Sequence, residues 1–206
     1  MPVIEVIAPG QWRTQPWANG AGVTHELARW GDADAFDARI SVAELVARSP
    51  FSRFAGYDRW LAPGGEVTLV LPDGARRLTR GEALSFPGEL DVMGEPSALT
   101  WDLNVMVRRG IAWSAEIVRA RTERIAAAGV TALFAMDGGA SVEVAGRRVE
   151  LPSRGALLAS ASEGFSVTVE ASEGALVAWV HLDLRVGTAH DPSTASPRLT
   201  RPPRAA

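Results

Sequence analysis

Short apolar runs alternate with polar residues along most of the chain. Across 38–43, Ile40 and Val42 fall on one side of an extended segment, and Arg39 and Ser41 fall on the other. Across 66–71, Val67, Leu69 and Leu71 alternate with Glu66, Thr68 and Val70. Across 100–107, Leu103, Val105 and Val107 alternate with Asp102, Asn104 and Met106. A period of two belongs to a half-buried strand, whose successive side chains point to opposite faces. Further extended segments are predicted over 3–7, 22–29, 112–120, 131–136, 141–145, 147–151, 165–170 and 175–182. Pro/Gly clusters at 62–65, 72–74 and 86–88 separate the runs, and Ala145-Gly146 reads as a hairpin turn. Many short strands at this spacing predict a sandwich or a barrel. Only two segments carry a helix signal. Residues 42–49 could form two turns, ended by Pro50, which disfavours a helical residue before it. Residues 122–128 read as a brief helix or a long loop.

The two halves of the chain repeat one another weakly. Asp73-Gly74 and Arg76-Arg77 are followed by Gly81 and then Ala83-Leu84. Ala145-Gly146 and Arg147-Arg148 are followed by Gly155 and then Ala156-Leu157. A duplicated β-barrel would produce this rhythm. Beyond 186 the chain turns to Pro, Ser, Thr, Arg and Ala with almost no large apolar residues, which predicts a disordered tail over 187–206.

Composition removes many function classes. With 47% apolar residues among 206, there is material for the cores of one large or two small domains. The net charge of -3, with no clustered basic stripe, argues against nucleic acid as a partner. Cysteine is absent and all 21 basic residues are arginine. Disulfides, thiol nucleophiles, Schiff-base lysines and phosphate-loop lysines are therefore excluded. No leader-like segment opens the chain and no apolar run reaches the length of about 18 residues needed to span a bilayer. A cytoplasmic protein without membrane contact is expected. His25, His181 and His190 lie in separate segments with no His-x-His pair, so neither a metal nor another cofactor is expected. His181 reads as a hydrogen-bonded histidine of the last strand.

Three polar constellations remain. The first runs from Trp17 to Glu26 through Asn19-Gly20-Ala21-Gly22, a tight turn. In the strand that follows, Thr24 and Glu26 share one face and His25 takes the other. The plain alternative is that Asn19 and Glu26 only satisfy turn and strand backbone groups. The second, 51–59, is rich in aromatic residues and arginine; a guanidinium fork there suits a carboxylate or phosphate, or an ordinary ion pair with Asp58. The third places Asp102 and Asn104 on one strand face. Polar side chains inside a barrel are costly unless they pair or meet a ligand or water.

Taken in order, these blocks resemble the HutD/Ves family. They read Pro-Trp-x-Asn-Gly-x-Gly-x-Thr-x-Glu from Pro16, Arg-Ile-Ser-Val-Ala-Glu from Arg39, Phe-Ser-x-Phe-x-Gly-Tyr-x-Arg from Phe51, and Asp-Leu-Asn-Val-Met-x-Arg-Arg from Asp102. The resemblance spans about residues 10 to 110. It implies an all-β bicupin, with one cupin-like barrel over 1–109 and a second over 110–186. For the HutD branch it also implies a link to bacterial histidine utilisation, with formylglutamate, formiminoglutamate or a related intermediate as ligand. The chain departs from the family pattern at Ala18 and His25, where a basic residue is usual, at Ala21, where Gly is usual, and at Ala38, where Trp is common. His25 restores a charge only when protonated, and from the opposite strand face.

Three readings follow. In the first, Asn19, Thr24, Glu26, Arg39, Ser41, Arg59, Asp102 and Asn104 line a pocket for a small polar metabolite, with Arg39 or Arg59 gripping a carboxylate. In the second, Glu26 or Asp102 is the general acid or base of a cofactor-free enzyme, its pKa raised by burial. In the third, exposed strands pair the chain into a homodimer and the barrel is structural.

Overall fold

The computed structural model describes residues 1–17, 22–32 and 35–184. Within them the alternating segments form strands, and no α-helix occurs among the described residues. The first half contains β1 (Val3–Ile7), β2 (Arg13–Pro16), β3 (Gly22–Gly31), β4 (Phe36–Leu45), β5 (Ser49–Pro50), β6 (Tyr57–Pro63), β7 (Val67–Leu71), β8 (Gly74–Leu78), β9 (Leu84–Pro87), β10 (Met93–Pro96) and β11 (Thr100–Arg108). The second contains β12 (Trp113–Val118), β13 (Thr122–Ala126), β14 (Gly129–Asp137), β15 (Ala140–Val144), β16 (Arg147–Leu151), β17 (Ala156–Ala161), β18 (Phe165–Ala171) and β19 (Leu176–Leu182). No helix of the described residues is long and apolar enough to cross a membrane.

Both helix expectations fail. The stretch expected to coil over 42–49 instead finishes β4 at Leu45, and Ser49-Pro50 forms β5. Its Val42 pairs with Leu103 on one side and His25 on the other, and both Val42 and Leu45 are fully buried. Likewise β13 pairs along its whole length with β18, which places Ala126 in a core. In each case pairing and burial override local propensity.

Four sheets result. Their orders are β2-β3-β4-β11-β6-β9, β5-β10-β7-β8, β1-β17-β14-β19-β12 and β13-β18-β15-β16. The order β4-β11-β6-β9 in the first half recurs as β12-β19-β14-β17 in the second, and β5-β10-β7-β8 recurs as β13-β18-β15-β16. The repeat is therefore topological as well as sequential. In the β15–β16 hairpin, Ala145 (φ 48°) and Gly146 (φ 81°) are both left-handed, as a two-residue turn matched to strand twist requires. Two additions break the symmetry. The β2–β3 pair widens the first large sheet. Strand β1, although early in the chain, joins the far edge of the second, with Val3 opposite Ser160 and Ile7 opposite Ala156.

Three cores hold the sheets together. The largest lies between the two large sheets, where Ile40, Val42, Leu103 and Val105 share a cluster with Ala132, Phe134, Ala178 and Val180. Each large sheet also buries its other face against a small sheet. In the second half that interior is mostly apolar, with Leu133, Leu157, Phe165, Val167, Val177 and Trp179 beside the Thr131–His181 pair. In the first half the apolar filling is confined to one end, around Leu45, Leu61, Val67, Leu69 and Phe86. Other inward positions of β4, β6 and β11 carry Arg39, Ser41, Arg59, Asp102 and Asn104.

Candidate functional site

Those polar positions border a cavity of about 500 Å³ in the first half. Strand alternation assembles it. On β4, Ala38, Ile40 and Val42 enter the central core, which turns Arg39, Ser41 and Ala43 the other way. On β11, Leu103, Val105 and Val107 enter the same core, which turns Asp102 and Asn104 into the cavity wall. Register aligns the two rows, since Asn104 stands opposite Ser41 and Asp102 opposite Ala43. Arg59 arrives from β6, and Thr24 from β3.

The structure thus brings Thr24, Arg39, Ser41, Arg59, Asp102 and Asn104 to one cavity. Glu26 is not part of its lining. The Arg29 Nε donates to Glu26 Oε2 at 3.0 Å and Arg29 Nη2 donates to the same oxygen. A bulge at Leu27 shifts the register of β3 against β4 and brings Arg29 opposite Arg39. Asn19, Ala18 and Ala21, like His190 and the tail over 187–206, lie outside the described residues. Gln15, Trp17, Phe51, Ser52 and Phe54 also line the cavity. Trp17 and the Phe51–Arg59 segment belong to the constellations noted above, but nothing local shows that their rings turn inward.

The rings organise the two guanidinium groups. Arg39 lies between Phe36 and Phe54, at 5.3 and 5.2 Å from their centroids. Arg59 lies between Phe51 and Phe86, at 5.2 and 5.1 Å. In its own plane Arg59 donates from Nη2 to Asn104 Oδ1 at 2.7 Å and from Nη1 to the Ser52 carbonyl at 3.2 Å. A guanidinium only donates, so Asn104 must present its oxygen to Arg59 and its NH2 to Asp102, where Nδ2 donates to Oδ1. The result is a chain running Arg59–Asn104–Asp102. Among the described residues Arg39 makes one side-chain hydrogen bond, from Nη2 to the Met106 sulfur at 3.3 Å.

Burial sets the electrostatics. Asp102 is fully buried, and that burial pushes its carboxyl up to about 7 against the opposing pull of Arg59 and the Asn104 hydrogen bond. Arg59 is lowered to about 10 by burial, with Asp102 acting to raise it and Arg39 to lower it. Burial lowers Arg39 also. Among the described residues, six buried side-chain polar atoms lack a hydrogen-bond partner. Three of them, Arg39 Nε, Arg59 Nε and Asp102 Oδ2, belong to residues of this cavity. The others belong to Trp12 and to Arg154, which stacks between Trp12 and Trp101.

The histidines stand elsewhere. His25 contacts Thr14 Oγ1 at 2.9 Å and Glu44 Oε1 at 3.2 Å, with its ring against Trp12. His181 contacts Thr131 Oγ1 at 3.3 Å in the second half, and burial lowers its pKa. Among the described residues no three His, Asp or Glu side chains cluster as a metal ion would require.

Gly22 makes room for the cavity-lining Trp17, a reason other than turn geometry. A Cβ there would stand 3.0 Å from the Trp17 ring and 2.5 Å from the Glu44 carbonyl. Trp17 lies across the bare backbone and donates from Nε1 to Thr24 Oγ1 at 2.7 Å. Gly22→Ala is expected to cost about 1–3 kcal/mol of stability through overpacking. Denaturant unfolding measures the loss, and an unchanged midpoint would show that Trp17 does not rest there.

Comparison with known proteins gives a consistent picture. A family model described as HutD matches residues 10–177. An uncharacterized 21.2 kDa protein in the hutC 3' region of Pseudomonas putida is 30% identical over 163 residues, covering 73% of this chain and 83% of that protein. Protein Ves of Cronobacter sakazakii is 38% identical over 99 residues; that match spans 45% of this chain and only 54% of Protein Ves. Among solved structures, a conserved protein of unknown function from Pseudomonas aeruginosa PAO1 is similar with a TM-score of 0.82 and 27% identity, covering 88% of this chain and all (100%) of that one. HutD from Pseudomonas fluorescens SBW25 is similar with a TM-score of 0.77 and 21% identity, over 92% and 100%. A cupin 2 conserved barrel domain protein from Leptotrichia buccalis, at a TM-score of 0.56 and 12% identity over 86% and 96%, shares the β architecture.

Proposed function

The chain belongs to the HutD family, and from that premise we propose that it binds a small anionic metabolite in the cavity of its first half. One observation carries this reading: two guanidinium groups line the cavity, and neither has a carboxylate partner. Many other arginines find acids, as in Arg109 with Glu89 at 2.6 Å and Arg48 with Glu95 at 2.7 Å, while Arg154, stacked between Trp12 and Trp101, also has no ion pair among the described residues. No ion pair among the described residues involves Arg39 or Arg59 in this way, and Arg59 is only 6% exposed. Placing a cation there without a counter-ion costs several kcal/mol. Ring stacking returns about 2 kcal/mol or more for a desolvated cation. It also acts on the flat faces and leaves free the N–H groups that Arg59 does not spend on Asn104 and the Ser52 carbonyl. Those groups match the two oxygens of a carboxylate. Ser41 and Asn104 stand close enough in register to orient the remainder of the ligand.

The candidate ligands are formylglutamate and other intermediates of histidine degradation, and the protein would serve as a regulator of that pathway. The name of the Pseudomonas putida relative supports this choice. The site would work without a metal or other cofactor, in the cytoplasm. A second reading is cofactor-free turnover with Asp102 as general acid or base. The Asp102 carboxyl at about 7 favours it, because such a group can both take and give a proton near neutral pH. Glu26, bonded to Arg29, suits that role less.

A thermal-shift screen against formylglutamate, formiminoglutamate, urocanate and histidine tests both readings. Ligand at a hundred times its Kd stabilises the fold by about 2.7 kcal/mol, and the melting temperature should rise for the anionic acids first. No rise with any of them would sink the binding reading. Product formation from a stabilising acid, abolished in Asp102→Asn, would establish turnover.

A further inference from the structure

Asp102 is the one fully buried acid among the described residues. Ala43 stands opposite it on β4 and Pro63 opposite it on β6. Its Oδ1 accepts from the Asn104 amide, while its Oδ2 has no donor. The nearest cation does not reach it: Arg59 spends Nη2 on Asn104 and Nη1 on the Ser52 carbonyl. The other charged groups that face this region are Arg39 on β4 and Glu26 on β3, the latter paired with Arg29. The small sheet packed over the same interior contributes Val67 and Leu69, which cannot titrate. An ionised Asp102 would therefore leave one carboxylate oxygen in the protein interior with nothing to accept from. A neutral Asp102 removes that charge from a residue that borders the cavity.

We propose that above neutral pH the cavity takes up one proton together with each anionic ligand, and that Asp102 holds this proton on Oδ2. The proposal rests on the binding reading above. Arg39 and Arg59 supply the attraction for the anion. A second negative charge beside Asp102 would repel it, since two carboxylates that share a site hold one proton between them. Protonation removes the repulsion. The balance is simple: the proton comes from solvent, joins Oδ2 and returns to solvent when the ligand leaves. No bond of the ligand is broken.

Near pH 7 the free site is divided between the two forms, because burial holds the Asp102 carboxyl at about 7. Affinity is then level under acid conditions and falls about tenfold per pH unit above neutrality. The experiment is isothermal titration of the whole protein with N-formyl-L-glutamate, and separately with acetate, at pH 5.5 and pH 8. Each titration is run in two buffers of different ionisation enthalpy. Uptake of close to one proton per ligand at pH 8 and close to none at pH 5.5 is the expected result. Asp102→Asn should still bind, with an affinity that no longer changes with pH. Binding whose heat is the same in both buffers at pH 8 overturns the proton uptake and leaves the binding site standing. Heat from neither acid at either pH overturns both.

Discussion

Arg59→Ala is expected to weaken binding of a carboxylate ligand by about a hundredfold or more, equivalent to about 2.7 kcal/mol. It should also lower fold stability by a few kcal/mol. The two losses have one origin. Arg59 lies between the Phe51 and Phe86 rings and donates to Asn104 and to the Ser52 carbonyl. Truncation removes the cation that meets the ligand and leaves both acceptors without a donor. It also takes away the positive charge that opposes the upward shift of Asp102. Removing one member of a buried, hydrogen-bonded charged set costs about 2–5 kcal/mol. Arg59→Lys separates the effects. An ammonium group keeps the charge but loses the flat fork and most of the ring contact. It should recover part of the stability and little of the affinity. Calorimetric titration and denaturant unfolding of both variants check this. Unchanged affinity in Arg59→Ala would move the ligand out of this cavity altogether.

The second large effect is on the pH dependence of stability. In the unfolded chain Asp102 ionises near its ordinary value of 3.8; in the folded protein it does so near 7. Between those values the native state holds a proton that the unfolded state has released. Stability therefore falls as pH rises through this window, by up to about 1.4 kcal/mol per pH unit, and levels off above the folded value. An acid that pairs with a cation behaves in the opposite way. Asp102→Asn lacks the titration while keeping an acceptor for Asn104. The variant should therefore gain on the natural protein from pH 4 to pH 7 by several kcal/mol in total, an order-of-magnitude figure. Unfolding midpoints of the two proteins across that range provide the check. Parallel curves would make residue 102 an ordinary solvated carboxylate.

How far the site could be read in advance depended on the kind of signal involved. Period-two alternation was enough to put Arg39 with Ser41 and Asp102 with Asn104, because a strand has only two faces and the apolar residues claim one. It was enough also for the all-β class and for the internal duplication. Alternation carries no information about which strand pairs with which. It could not tell that β1 belongs to a sheet whose nearest strand begins at Ala156. Nor could it show that the bulge at Leu27 hands Glu26 to Arg29. The Phe51 and Phe54 rings were visible as composition, but their role as plates against two guanidinium groups exists only once β4 and β6 lie in one sheet. The segment after Ala43, Glu44-Leu45-Val46-Ala47-Arg48, reads as helix because its residues are mostly good helix formers. Leu45 lies between Gly22 and Thr100 in the ladder, and that long-range pairing decides its conformation.

The placement of β1 has a consequence for the order in which the molecule comes together. A chain emerging from the ribosome presents Val3–Ile7 long before Ala156–Ala161 exists. Until then this apolar segment, with Val3 and Val6 still exposed in the finished fold, has no edge to join. The first half can assemble its own two sheets during synthesis, because their strands all lie between Arg13 and Arg108. The large sheet of the second half cannot be completed until the start of the chain returns to it, across a loop closure that is entropically slow. A strand made early is thus installed late, and assembly of the two halves finishes as one event rather than two.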